Sequence, residues 1–259
     1  MEVGFAAPDD AGAILDIVSQ TTPAHVLACT PLGAAGAHAY VTALIEHRRT
    51  GADRVWTVMR TDEDAVVGFI EIRLAIEDLF INHVHIRPEW QGQGIGSLLF
   101  RESLEMLDFP SIKRLELDVF VPDNQRAYGW YSRLGFTPLY RSAWMTTPLP
   151  PGNTLSRFRI RGLAQAQCIQ AKYGFSQFTV QTEQGVYEVG RLGENLFRVS
   201  EPYLLADPGA LAALNHIAPI SRLLIIGKEA LFGTNPAPLQ TLATSVRMAA
   251  EFGTVRSYL

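Results

Sequence analysis

Apolar positions in the first 150 residues change period several times. Val3 to Ala6 reads as a short strand. Pro8-Asp9-Asp10 then starts a helix through Ile14, Ile17 and Val18, whose spacing places them on one face. Residues 31 to 48 read as a second helical stretch. Val55 to Arg60 and Val66 to Leu74 are rich in β-branched residues, and the acidic turn TDEDA between them predicts a hairpin. Leu79 to Ile86 is a further strand, leading into a loop and then a helix over RPEWQGQGIGSLLFRESLEML. Leu115 to Val121 predicts a strand, Asn124 to Leu134 a helix and Phe136 to Trp144 a last strand. The order β-α-α-β-β-β-α-β-α-β predicts a mostly antiparallel sheet with helices on both faces, an α/β (α+β) fold.

The stretch TTPLPPGNT, residues 146 to 154, interrupts this pattern with three prolines and a glycine. Proline donates no ladder hydrogen bond and restricts its predecessor, so the stretch predicts a linker between domains 1–148 and 149–259. Beyond it come a strand at 158–160, a helix at 163–173, strands at 177–182, 186–191 and 196–199, and a helix at 208–217. A strand at 222–226 and a helix at 237–252 complete a smaller α+β domain. Asp207-Pro208 starts the 208–217 helix well, because aspartate caps and proline is tolerated in the first turn. No internal repeat is convincing: Tyr173-Gly174-Phe175 only faintly echoes Leu134-Gly135-Phe136.

Composition narrows the function classes. A chain of 259 residues, 47% hydrophobic and 19% charged, is folded and long enough for two cores. Its net charge of −4 argues against nucleic acid or an anionic membrane as partner. The charge is −7 over residues 1–150 and +3 over the rest, which suits two separately built domains that dock. No apolar run is long enough to span a membrane, and the acidic start MEVGFAAPDDAGA lacks a signal peptide, so a cytoplasmic protein is expected. Cys29 and Cys168 stand far apart, without a CxxC partner. They predict two reduced core thiols, neither a disulfide nor a zinc site.

The strongest chemical signal is INHVHIRPEWQGQGIGS, residues 81 to 97. A strand runs into a loop with Gly92, Gly94 and Gly96, and a helix begins inside that loop. Glycines let backbone approach a ligand, and the free amides of a helix start attract an anion. Position 97 is serine and 99 leucine, so the Rossmann G-x-G-x-x-G is not met, and no Gly-Lys-Ser/Thr makes a P-loop. Gln91, Gly94 and Gly96 do meet Gln-x-x-Gly-x-Gly. That motif resembles the pyrophosphate loop of the GNAT superfamily of acyl-CoA-dependent N-acyltransferases. Residues 115 to 136, LELDVFVPDNQRAYGWYSRLGF, resemble the superfamily's later motif, with Asn124, Ala127, Tyr131, Gly135 and Phe136 in place. The resemblance covers about residues 1–145 and none of the last 110.

The resemblance implies a sheet splayed after the strand that ends at Ile86. Pantetheine would lie there like an added strand along Val84, His85 and Ile86. The diphosphate would sit on Gln91, Gly92, Gln93, Gly94, Ile95, Gly96 and Ser97. Asn124 would bond the pantetheine arm, while its residue type also suits a helix cap shared with Asp123. Tyr131 would give a proton to the departing thiolate. The base is less well marked, because Phe80 holds the position where relatives often carry a carboxylate. His83 is the candidate base or relay, ahead of Glu71 and His85. A histidine pair at i and i+2 lacks a third ligand, so no metal is expected.

The activity implied is transfer of an acetyl group from acetyl-CoA to a primary amine by direct attack in a ternary complex. The alternative is an acyl-CoA-binding sensor that has lost its base. The acceptor would be a small-molecule or peptide amine, and the acidic first domain favours a cationic one. The second domain lacks Gln-x-x-Gly-x-Gly, which predicts no CoA site of its own and an accessory role, covering the acceptor side or joining a homodimer.

Overall fold

The structure, a computed structural model, describes residues 1–47, 53–75, 77–107, 112–121, 124–152, 156–219, 221–233 and 238–259. The chain divides into two compact units that are not contiguous halves. The first holds Met1–Ala24, His38–Tyr140 and Ser245–Leu259, and the second holds His25–Ala37 and Arg141–Thr244. The sequence reading divides the chain once, at 148.

The first unit begins with β1 (Glu2–Phe5) and α1 (Ala11–Thr21) and resumes in α3 (Ala37–His47), after the short α2 (Ala24–Leu27). Then come β2 (Arg54–Arg60), β3 (Val66–Leu74), β4 (Asp78–Ile86), α4 (Ile95–Glu105), β5 (Arg114–Phe120) and α5 (Gln125–Arg133). Its strands lie in the order β1-β2-β3-β4-β5 and then β12 (Gln240–Glu251), with only β4 and β5 parallel. One face packs Ile70, Ile72, Leu79, Ile81, Leu115 and Leu117 under Leu99 and Phe100 of α4 and Tyr131 of α5. Side chains alternate along a strand, so Phe69 and Glu71 point to the other face. That face meets α1, whose Ile14, Ile17 and Val18 are buried as their spacing predicts.

The second unit takes β6 (Thr137–Pro148) from residue 141 onward. It continues with β7 (Phe158–Arg161), α6 (Leu163–Tyr173), β8 (Phe175–Thr182), β9 (Val186–Leu192), β10 (Leu196–Val199), α7 (Pro208–Ile217) and β11 (Arg222–Lys228). Its strand order is β7-β8-β9-β10-β11-β6, with β10 and β11 the parallel pair. This is the order and sense of the first unit repeated: three antiparallel steps, one parallel, one antiparallel. The repeat that no motif betrays in sequence is plain in topology. The Leu134-Gly135-Phe136 echo does not mark it, since Phe136 precedes a sixth strand and Phe175 opens a second one. The last strand of the first sheet, residues 245–251, comes from more than 100 residues later in the chain, and that of the second, 142–148, directly precedes its first strand in sequence.

Three expectations change. Residues 240–251, read as a helix, form β12, and α8 (Phe252–Tyr258) follows. Ala243, Ser245, Val246, Met248, Ala249 and Ala250 are all buried, so covering on both faces erases the alternation that marks a strand. Pairing of Ser245–Glu251 with β5 overrides the helical leaning of alanine, methionine and arginine. Arg247 adds a side-chain clamp, with Nε and Nη2 each 2.8 Å from the Asp118 carboxylate and Nη1 3.1 Å from Glu116. Second, β6 runs through Thr146, Thr147 and Pro148, so the expected linker starts inside a strand. Pro148 is tolerated because it is the last residue of β6, opposite Arg222; residues 153 and 154 of that stretch lie outside those described. Third, Cys29 and Cys168 are free thiols but not core ones, being half-buried and exposed.

Met248 is fully buried in the first unit's core although it lies 11 residues from the chain's end. Met248→Ala should cost about 2–5 kcal/mol of stability, read by denaturant unfolding. A value near zero would mean β12 adds nothing to that core.

Candidate active site

In β4 the register against β3 shifts, so that Glu71 faces His83 while Ile72 faces Ile81. Asn82 is therefore the extra residue of a β-bulge, which bends the strand. The parallel pairing of β4 with β5 covers Asp78 to Ile81 against Arg114 to Leu117 and stops there. Past the bulge, β4 runs on to Ile86 and β5 to Phe120 without pairing, and their facing edges diverge. Val84, His85 and Ile86 stay paired to β3 through Ile70, Phe69 and Gly68, so only the β5 side of this segment is open. Unpaired strand edges need partners, and an extended amide-bearing ligand supplies them.

At the end of β4 the chain forms the glycine loop. Gln91 turns inward, donating from Nε2 to the Ile86 carbonyl at 2.9 Å, and Gln93 donates to Glu89 O at 2.9 Å. Both side chains thus brace the loop. Gly94 is the cap of α4, with φ of 82° and no side chain bonded to the helix amides. Glycine meets that left-handed backbone without strain, and no atom lies within 4 Å of where a Cβ would stand. Gly92 shares the conformation at φ 83°, and the Arg126 guanidinium lies against it. Ile95 is buried in the core, whereas Gly96 is in ordinary contact with Ile86 and Trp130. Ser97 Oγ accepts from the Trp130 indole at 3.1 Å, tying α5 to the loop. The result is a helix start with free amides, a nearby cation and open space, which fits a diphosphate.

On α5, Asn124 serves as the helix cap, its side chain accepting from the Ala127 amide at 3.1 Å. Asp123, read as sharing that cap, lies outside the described residues. Tyr131 is buried among Phe100, Trp130 and Phe136. Burial raises its phenol above the usual tyrosine range, so it stays protonated at neutral pH.

The opposite face of β3 and β4 carries the polar groups. Glu71 is only 2% exposed, and its Oε2 accepts from Asn82 Nδ2 at 2.6 Å. Its Oε1 accepts from Arg54 at 3.1 Å, and Arg54 also reaches the Tyr40 hydroxyl at 3.3 Å. His83 Nε2 stands 3.6 Å from Glu71 Oε2, and Arg73 Nε 3.9 Å from Oε1. Burial pushes the Glu71 carboxyl above the usual range, against the pull of Asn82 and the two arginines. His85 stacks on Phe69 with ring centres 5.2 Å apart. The Thr21 hydroxyl donates to Ile17 O at 2.7 Å, so its oxygen receives His85 Nδ1–H at 2.7 Å and His85 Nε2 is left bare. The histidine pair is real, with rings 5.5 Å apart. Among the described residues no group of three ligating side chains could hold a metal.

Sequence reasoning found the loop, the two histidines and Tyr131. It did not find Asn82, Arg54, Arg73, Tyr40 or Thr21, which converge on Glu71 and His85 only through strand register and the end of α1. Phe80 carries no carboxylate, and the Arg247 guanidinium lies over its ring at 4.7 Å.

Burial lowers the His83 imidazole to about 4, helped by Arg73 and Arg54, and lowers His85 to about 3, helped by His83. Both are neutral at pH 7. Unfolded histidine titrates near 6.5, so between pH 6.5 and about 4 the unfolded chain binds more protons than the folded one. Stability should therefore fall as pH drops through that window, by at most about 1.4 kcal/mol per pH unit for each histidine. His83→Gln should flatten the slope of melting temperature against pH. An unchanged slope would show that His83 is well solvated.

Comparison with known proteins agrees with this geometry. Residues 24–136 match the family model described as Acetyltransferase (GNAT) family. A Bacillus subtilis (strain 168) protein, provisionally named a ribosomal protein bS18 alanine N-acetyltransferase, is 34% identical over 73 residues. That match spans 28% of this chain and about half, 48%, of the curated relative. A solved tandem GNAT protein from the clavulanic acid biosynthesis pathway superposes with a TM-score of 0.64 at 13% identity, covering 96% of this chain and 98% of its own. A GCN5-related N-acetyltransferase from Sphaerobacter thermophilus gives 0.58 at 12% identity, covering 96% and 95%. At such identities the likeness is one of fold.

Proposed function

From the premise that the N-terminal region of this chain is a GNAT-superfamily domain, we propose that the protein is an acyl-CoA-dependent N-acyltransferase that moves an acetyl group to a primary amine. The observation that carries the reading is the opening between β4 and β5 after Ile81, with the uncapped start of α4 at its end. Acetyl-CoA, when bound, supplies a thioester carbonyl open to attack by a neutral amine. The amides of Gly92 to Gly96 hold its diphosphate, the Ser97 amide being bonded to the Gly94 carbonyl, and the free edge of Val84 to Ile86 pairs with its pantetheine arm and polarises the carbonyl. Asn124, whose Oδ1 caps α5, bonds that arm through its side-chain amide nitrogen. Tyr131, kept neutral by burial, donates its proton to the thiolate. His83, neutral at pH 7, takes the proton from the acceptor.

The acceptor is an amine on a small molecule or a peptide. The name of the Bacillus subtilis relative, which specifies an alanine of a ribosomal protein, supports including protein amines. The presence of a neutral imidazole at His83 and a phenol at Tyr131 favours an enzyme over a sensor. Tyr131→Phe removes one hydroxyl and little volume, so CoA should bind as before while turnover falls on the order of 10² to 10⁴. Thiol release over a panel of amines reads this. Full activity in the variant would return Tyr131 to packing.

The second unit we read as a copy without a cofactor. At the start of α7, where the first unit leaves amides free, the Asp207 carboxylate accepts from Gly209 at 2.8 Å and Ala210 at 3.1 Å. Thr182 and Tyr187 hold its other oxygen at 2.6 and 2.8 Å. A fixed carboxylate there repels a diphosphate. Pro202 packs against Gly227 on β11, beyond the point where pairing with β10 ends. One CoA per chain is therefore expected by calorimetry. Gly96→Asp puts a carboxylate into the first turn of α4, which suits the helix, and should abolish that binding without lowering the melting temperature. Two CoA per chain, or one retained in the variant, would place a site in the second unit.

A further inference from the structure

Among the described residues three carboxylates are buried: Asp10, Glu71 and Asp207. Two have structural work. Asp10 accepts from the Ala7 amide at 2.7 Å and forms a two-point pair with Arg60 at 2.9 and 2.7 Å. Asp207 caps α7. Glu71 caps nothing and bonds to side chains alone, at the bulge where the sheet begins to open. A buried carboxylate costs several kcal/mol to desolvate, and a hydrophobic residue on β3 would fill the space at less cost. Its place beside His83 therefore calls for a functional account.

We infer that Glu71 is the positioning residue and proton sink of the transfer, fixing the tautomer of His83 and taking the proton that His83 removes from the acceptor. This rests on the acyltransferase reading above. The nitrogen of an imidazole that faces a carboxylate carries the proton, so Glu71 Oε2 directs Nε2–H toward itself and leaves Nδ1 bare as the base. The 3.6 Å separation is just beyond hydrogen-bond length and closes with a small ring rotation, as sites without substrate commonly require. Asn82 holds Oε2 from the bulge, while Arg54, itself bonded to Tyr40, holds Oε1.

Proton and bond changes balance along this route. His83 Nδ1 takes a proton from the ammonium, and its Nε2 proton passes to Glu71 Oε2. The neutral amine forms the C–N bond as the C–S bond breaks, and Tyr131 protonates the thiolate. The amine's second proton restores the tyrosine, and the proton on Glu71 returns to His83 Nε2 as Nδ1 releases its own to solvent, which restores the starting tautomer. The groups facing Glu71 are Arg54 from β2, Tyr40 from α3, Arg73 from β3, and Asn82 and His83 from β4. His85 is the next imidazole along the strand.

The test compares the full chain with Glu71→Gln and Glu71→Asp. In ¹⁵N-histidine spectra His83 should be protonated on Nε2 in the wild type and become a tautomer mixture in Glu71→Gln. In the same variant kcat should fall on the order of 10² or more, with the acidic limb of kcat/KM displaced, while CoA affinity by calorimetry stays within about twofold. Glu71→Asp should recover part of both. An unchanged tautomer, or an unmoved acidic limb at wild-type kcat, overturns the inference. Absence of turnover with every amine in the wild type overturns the acyltransferase reading instead. In that case the tautomer measurement still decides the role of Glu71.

Discussion

Everything that gives the first unit its chemistry follows from one break in a hydrogen-bond ladder. β4 and β5 pair through Ile81 and Leu117 and then part at the Asn82 bulge. Buried backbone donors and acceptors without partners are costly, so a fold that opens its own sheet must recover that cost. The closed end is held by Leu79, Ile81, Leu115 and Leu117, which share one core with Leu99, Phe100 and Tyr131. The bulge does two things at once. It ends the ladder on the cofactor side, and it turns Asn82 toward Glu71 on the other face.

The two units differ in how one helix begins. Both have a parallel strand pair with a helix between, and both helices start near the end of the leading strand. In one, glycine caps the helix and leaves its amides free. In the other, aspartate caps it and uses them. A carboxylate cap adds on the order of 1 kcal/mol of stability, and it fills the place of an anionic ligand. A carboxylate cap and free amides exclude each other, and each unit has one of them.

Legibility of the sequence followed the physics of each signal. Loop glycines are readable because few backbone shapes need them: Gly92 and Gly94 were found, and both have positive φ. Hairpins and the helix at 208–217 were readable because turn and cap chemistry is local. β12 was not, because a strand buried on both faces has no period of two and its residues favour helix. The repeat was hidden for a related reason. Topology is carried by which strand pairs with which, and the second unit kept the pairing while changing the residues. Of the polar cluster around Glu71, the histidine pair was visible from its i, i+2 spacing. Its partner Glu71 was visible only as one carboxylate among many, because its burial and its bonds to Asn82 and Arg54 are set by register.

The distant origin of β12 has a consequence for folding. The core of the first unit includes Val246, Met248, Ala250 and Val255, more than 100 residues after the rest of its sheet. Loop-closure entropy grows only slowly with length, so the equilibrium cost of so distant a pairing is modest. The kinetic cost is larger, since long-range strand pairing slows folding and leaves an edge exposed meanwhile. Until β12 arrives, β5 offers its unpaired edge with Asp118 lacking its arginine partner, while Glu116 is paired to Arg114 of the same strand. The Asp118 carboxylate charges the waiting edge, which discourages pairing with another chain, and Arg247 neutralises it when the correct strand docks. The same carboxylate thus protects the unfinished sheet and selects the strand that finishes it.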